Sequence, residues 1–146
     1  RSVDCGGAAV EQAADDRPVW LCYGSSITHG GPTAASPSRS WAALCSRLAR
    51  VRLVNLGFGG ECYLDQSVAR VIRDTACDCI TLKVGINPLC VAAFNRRTFF
   101  AALVGFVRTV RDGHPETPLV VASMVWYGPL EERPPLGGGG GPSQFL

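Results

Sequence analysis

Four short apolar runs, at residues 19–23, 52–56, 79–84 and 119–125, alternate with stretches whose apolar residues recur at helical spacing. This alternation is the strongest constraint on how the chain folds. The first run, Val19-Trp20-Leu21-Cys22-Tyr23, is continuously apolar and rich in β-formers, as expected of a strand buried on both faces of a parallel sheet. Between the runs, Trp41, Leu44, Cys45 and Leu48 predict one helical face, with Ser38 or Ser40 as its cap. Leu64, Val68, Val71 and Ile72 predict a second, and Phe99, Leu103, Phe106 and Val110 a third that closes at Gly113. Strands alternating with helices imply a parallel sheet with right-handed crossovers, hence a three-layer α/β/α domain.

The 146 residues suffice for about one domain, and 47% hydrophobic against 18% charged content fits a globular core. Net charge is +2, Lys83 is the sole lysine, and no basic block exists, so nucleic acid is not an expected partner. No apolar run approaches the roughly 18 to 20 residues that span a bilayer. Seven cysteines, an odd number spread along the chain, argue against a disulfide framework and are expected to be mostly buried free thiols. Free thiols favour a soluble, cytoplasmic setting. Cys77-Asp78-Cys79 lacks a second Cys/His pair at ligand spacing, so no metal is expected. Cys62, just past a glycine turn, reads as a small buried filler.

Three of the runs end in small-residue turns, and each turn carries a group suited to acyl transfer: Ser26 after the first, Gly60 after the second and Asn87 after the third. In a parallel sheet all three fall on one edge, where open α/β sheets bind ligands. A nucleophilic hydroxyl, a backbone N–H freed by glycine and a side-chain amide are what an ester hydrolase needs to attack a carbonyl and stabilise its oxyanion. Neither G-x-G-x-x-G nor G-x-x-x-x-G-K-[ST] occurs, which counts against a nucleotide site.

At these residues the chain resembles the SGNH hydrolase superfamily, the GDSL esterases and lipases. Gly24-Ser25-Ser26 is similar to the first family block, Asn55-Leu56-Gly57-Phe58-Gly59-Gly60 to the second and Gly85-Ile86-Asn87 to the third. Ser25 stands where the family's name-giving motif has Asp. The resemblance implies a flavodoxin-like sheet of order 2-1-3-4-5. It also implies Ser26 as nucleophile, with the Ser26 N–H, the Gly60 N–H and the Asn87 amide as the oxyanion hole, and no cofactor. The implied substrate is a small ester or an acylated carbohydrate, with acyl transfer to an alcohol as the alternative to hydrolysis. A non-catalytic ligand-binding module is a further alternative. Ser25, Phe58, Trp126 and Tyr127 are candidate substrate contacts.

The family's Asp-x-x-His block, source of its general base, does not occur in the chain. His29 and His114 are the two histidines. His29 is expected to hydrogen-bond locally beside the nucleophile, and His114 to be a solvated loop residue on the opposite sheet edge. The expected organisation is residues 1–17 as the end of a preceding region, 18–128 as an incomplete SGNH domain lacking its last strand and helix, and 129–146 as a flexible Pro/Gly-rich tail. A hydrophobic edge on the fourth strand and weak turnover of these residues on their own follow from that organisation.

Overall fold

The computed structural model describes residues 6–7, 14–31 and 34–126. The expected segments 1–17, 18–128 and 129–146 are therefore covered only in part, and the last lies wholly outside the described residues. Within them, β1 (Val19–Gly24) leads into a one-turn helix, α1 (Ser26–His29), and after a 3-10 turn at Pro37–Arg39 into α2 (Trp41–Ala49). Then follow β2 (Arg52–Gly57), α3 (Gln66–Asp74), β3 (Cys79–Lys83), α4 (Ile86–Cys90), α5 (Arg96–Gly113) and β4 (Leu119–Ala122). The strands form one parallel sheet in the order β2-β1-β3-β4, the order expected of a flavodoxin-like sheet.

Being central, β1 hydrogen-bonds on both sides, and Leu21, Cys22 and Tyr23 are fully buried. Side chains alternate across the sheet. Leu21 and Tyr23 of β1 join Ile80 and Leu82 of β3 against α3 and α5, whose Ala69, Ile72, Phe106 and Val110 are also fully buried. Each large side chain so buried contributes about 1.5 to 3 kcal/mol, so this cluster is the main core. On the other face Trp20 packs edge-on against Trp41 of α2, with centroids 5.8 Å apart, and its indole N–H donates to Thr81 Oγ1 at 2.9 Å. Opposite faces of the sheet are thus covered by different helices, as three layers require.

The helix caps follow from local chemistry. Ser40, rather than Ser38, caps α2, its hydroxyl accepting from the Ala43 N–H at 3.3 Å. Asn95 and Thr98 form a reciprocal capping box that starts α5. The apolar face expected for α2 is corrected: Leu48 is 86% and Leu44 42% exposed, and the buried positions are Ala42 and Ser46. Small residues let this helix lie close to the sheet, which turns the leucines outward. The second expected face is also revised, because Leu64 precedes α3 and Val71 is exposed.

Two further expectations change. His114 is not a solvated loop residue but buried, with Nε2 2.9 Å from the Ile72 carbonyl and Nδ1 3.3 Å from Thr117 Oγ1. A carbonyl can only accept, so Nε2 carries the proton and joins the C-terminal end of α5 to that of α3. The same loop is fixed by Arg111, which donates to the carbonyls of His114, Pro115 and Thr117. Among the described residues the thiols are not mostly buried: Cys22 and Cys62 are, Cys77 and Cys79 are half-buried, and Cys45 and Cys90 lie exposed on α2 and α4.

Burial, with a smaller contribution from nearby Cys45, pushes the Cys22 thiol from its ordinary 9.0 up to about 12. Over that interval the unfolded chain releases a proton that the folded chain retains, so stability falls as pH rises from about 9 toward 12. Iodoacetamide at pH 8 is expected to modify Cys45 and Cys90 rapidly and Cys22 and Cys62 only on unfolding, as read by mass spectrometry. On β4, Val120 and Val121 are 58% and 43% exposed, and no strand pairs with the outer edge among the described residues. The 146-residue chain is accordingly expected to self-associate, and Val120→Lys to shift its sedimentation profile toward monomer.

Candidate active site

The C-terminal ends of β1, β2 and β3 lie side by side, with Gly24 in register with Gly57 on one side and Lys83 on the other. The turns leaving these ends carry the three residues singled out by the sequence. At the first, Ser25 caps α1: its hydroxyl accepts from the Ile27 N–H at 3.3 Å and its carbonyl from Thr28 and His29. Ser26 is then the first residue of α1, half-buried, its hydroxyl without a hydrogen-bond partner among the described residues.

This short helix lies almost in contact with the strand ends, because two glycines leave room for it. A Cβ on Gly57 would overlap the His29 backbone, with His29 Cα at 2.6 Å, and a Cβ on Gly24 would overlap the Thr28 side chain. Asn55 of β2 ties the two turns together. Its Nδ2 donates to the Thr28 carbonyl at 3.1 Å and its Oδ1 accepts from the Gly57 N–H at 2.9 Å. The Phe58 N–H donates to the Gly24 carbonyl at 2.8 Å, a third tie.

Beyond Phe58 the second turn rises through Gly59 and Gly60 into open space, with Gly60 exposed at φ 78°. It returns to the third turn at Cys62, whose N–H donates to Asn87 Oδ1 at 3.0 Å. That donor demands an acceptor, so the oxygen of the Asn87 amide must face Cys62 and its NH₂ must face away. The NH₂ has no partner among the described residues. Ser26, Gly60 and Asn87 therefore stand on adjacent turns of one sheet edge, joined by hydrogen bonds from turn to turn.

The remaining candidates sit differently. Ser25 is 1% exposed and engaged as a helix cap. Phe58 is half-exposed and rests edge-on against Tyr23, with centroids 6.1 Å apart. Trp126 is 74% exposed, and Tyr127 lies outside the described residues. His29 is exposed at the end of α1, and His114 lies at the opposite edge, beyond the C-terminal end of α5. Neither bonds to Ser26 among the described residues. The Cys62 thiol is raised above its ordinary value, chiefly by burial and further by Asp65, against the opposing effects of Tyr23 and Lys83. It stays protonated, a packed filler. No three His, Cys, Asp or Glu side chains among the described residues are grouped to hold a metal ion.

In the sequence Asn55 stands within a motif and Tyr23 at the end of an apolar run, yet both bond across the turns. Asparagine is depleted in strands, so Asn55 two residues before a strand-end glycine was the available signal. Nothing comparable marked Tyr23.

A GDSL-like lipase/acylhydrolase family model matches residues 17–127. Among solved structures, the chain is similar to the salicylyl-acyltransferase SsfX3 from a tetracycline biosynthetic pathway, with 40% identity and a TM-score of 0.77 over 88% of this chain and 36% of that one. It is also similar to a protein described as a GDSL-like lipase from Bacteroides ovatus, with 28% identity and a TM-score of 0.62 over 75% of this chain and 30% of that one. A family two carbohydrate esterase from Clostridium thermocellum, solved with cellohexaose, shares the fold at 15% identity and a TM-score of 0.64, over 85% and 48% of the two chains. The chain thus spans about a third of the length of the first two. No curated protein matches it. With the family model covering the whole sheet and all three turns, the chain belongs to the GDSL-like lipase/acylhydrolase family.

Proposed function

We propose that this chain carries the nucleophile and oxyanion hole of a serine ester-processing enzyme. The observation that carries the reading is the bond from the Cys62 N–H to Asn87 Oδ1, which leaves the Asn87 NH₂ free at the edge where Ser26 and Gly60 also stand. In this reading Ser26 Oγ attacks the carbonyl carbon of a carboxylic ester while a general base takes its proton. The carbonyl oxygen becomes an oxyanion, which accepts from the Ser26 N–H, the Gly60 N–H and the Asn87 NH₂. Collapse expels the alkoxide, which takes up the proton, and leaves an acyl-serine that water cleaves.

Three fixed donors suit charge that develops only in the transition state, and a single lost donor of this kind typically costs about 10²- to 10³-fold in rate. The base in this reading is a histidine from an Asp-x-x-His block, which these 146 residues do not contain. On their own they are expected to turn over weakly or not at all. Phe58 and Trp126 are proposed to border the substrate, a small ester or an acylated carbohydrate, with Tyr127 next to Trp126 in sequence. Ser25 is proposed to act on the substrate only through the helix it caps. No cofactor enters the reaction.

Acyl transfer is the second reading, favoured by the 40% identity to a salicylyl-acyltransferase. There the same acyl-serine is cleaved by an acceptor alcohol instead of water. In the full natural protein, Ser26→Ala is expected to lower cleavage of a short aryl ester by about 10³-fold or more. Unchanged cleavage would sink the assignment. Raising the concentration of an acceptor alcohol and weighing acyl ester against free acid separates the two readings. A fluorophosphonate probe is expected to label Ser26 in that protein and to leave the 146-residue chain unlabelled; failure in both would favour a ligand-binding module.

A further inference from the structure

We propose that Tyr23, buried in the central strand, is a positioning residue that sets the height of the Gly60 turn above the sheet edge. The inference rests on the reading of Gly60 as an oxyanion donor. The crest of that turn faces open space on its Cβ side: a Cβ built on Gly59 or Gly60 would meet no atom within 4 Å. Its position therefore depends on what grips its two flanks.

Tyr23 touches both. On the leading flank its ring packs edge-on against Phe58. On the trailing flank its phenol oxygen accepts from the Leu64 N–H at 3.2 Å. The ring itself cannot shift, because it is fully buried and stacked on Phe106, with centroids 5.1 Å apart and planes 18° from parallel.

The backbone at the trailing flank needs such a grip. Leu64 is 3% exposed and holds φ 64°, a left-handed conformation that a bulky residue adopts only where its surroundings impose it. Within the turn the backbone bonds are few, from Glu61 to Phe58 and from Tyr63 to Glu61, at 3.4 and 3.2 Å. The remaining restraints near the trailing flank come from the third strand end: Asn87 on the Cys62 N–H and the Lys83 carbonyl 3.9 Å from the Cys62 sulfur. Of these contacts, only the Tyr23 phenol reaches Leu64.

Tyr23→Phe removes one oxygen and keeps the ring, which isolates the effect. In the full natural protein, amide hydrogen exchange over residues 58–65 is expected to accelerate at least tenfold, with exchange across β1 and β3 unchanged. On a short aryl ester, kcat is expected to fall about tenfold or more with KM within twofold, as befits a donor used in the transition state. Unchanged exchange over 58–65, or unchanged kcat, would overturn the proposal. Should the variant fail to fold, 3-fluorotyrosine at position 23, a weaker acceptor of the same shape, must give a smaller change of the same direction, and no change overturns it. The exchange measurement needs no catalysis, so retained activity in Ser26→Ala would defeat the ester reading while leaving the Tyr23 grip separately decided.

Discussion

Everything at the candidate site depends on how closely α1 lies against the ends of β1 and β2. The helix is a single turn, too short to hold itself by its own hydrogen bonds. It persists because the strand ends present glycine where a side chain would collide, and because Asn55 and Ser25 occupy polar groups that the turn leaves open. Ser26 inherits its position from that contact. The hydroxyl is delivered to the edge by packing, with no hydrogen bond of its own among the described residues.

The architecture was legible because strand and helix periods are set by the same burial that sets the fold. Val19 through Tyr23 is uninterruptedly apolar because a central parallel strand has two covered faces, and it proved to be the middle of the sheet. Phe99, Leu103, Phe106 and Val110 lie on the face of α5 that meets the core. Where the helix face was misread, small residues were responsible. Ala42 and Ser46 carry little hydrophobic signal, yet they are the buried positions of α2, and Leu44 and Leu48 are left outside. His114 was misjudged for a related reason: a residue in a Gly-His-Pro loop reads as exposed, and only the packing of α3 against α5 supplies the Ile72 carbonyl that buries it.

The candidate site was legible at the level of turns and illegible at the level of bonds. Glycine, serine and asparagine at three strand ends pointed to one edge, and the register of β1 with its neighbours puts them there. The sequence carried no trace of the bond between Asn87 and Cys62, which spans 25 residues, or of that between Tyr23 and Leu64, which spans 41. Such contacts depend on where separate loops come to rest, a property of the assembled sheet. In the proposed chemistry they matter more than the motifs, because a donor helps only if it is already in place when charge appears.

The amide of Asn87 serves both of its ends: the oxygen is committed to the neighbouring turn, and the nitrogen is left for whatever arrives at the edge. One side chain thereby makes the spacing of two loops a shared quantity that neither can alter alone. In the proposed chemistry that shared spacing sets how far the Asn87 nitrogen stands from the Gly60 turn. In that chemistry an incoming carbonyl oxygen would meet donors whose separation is decided before it arrives.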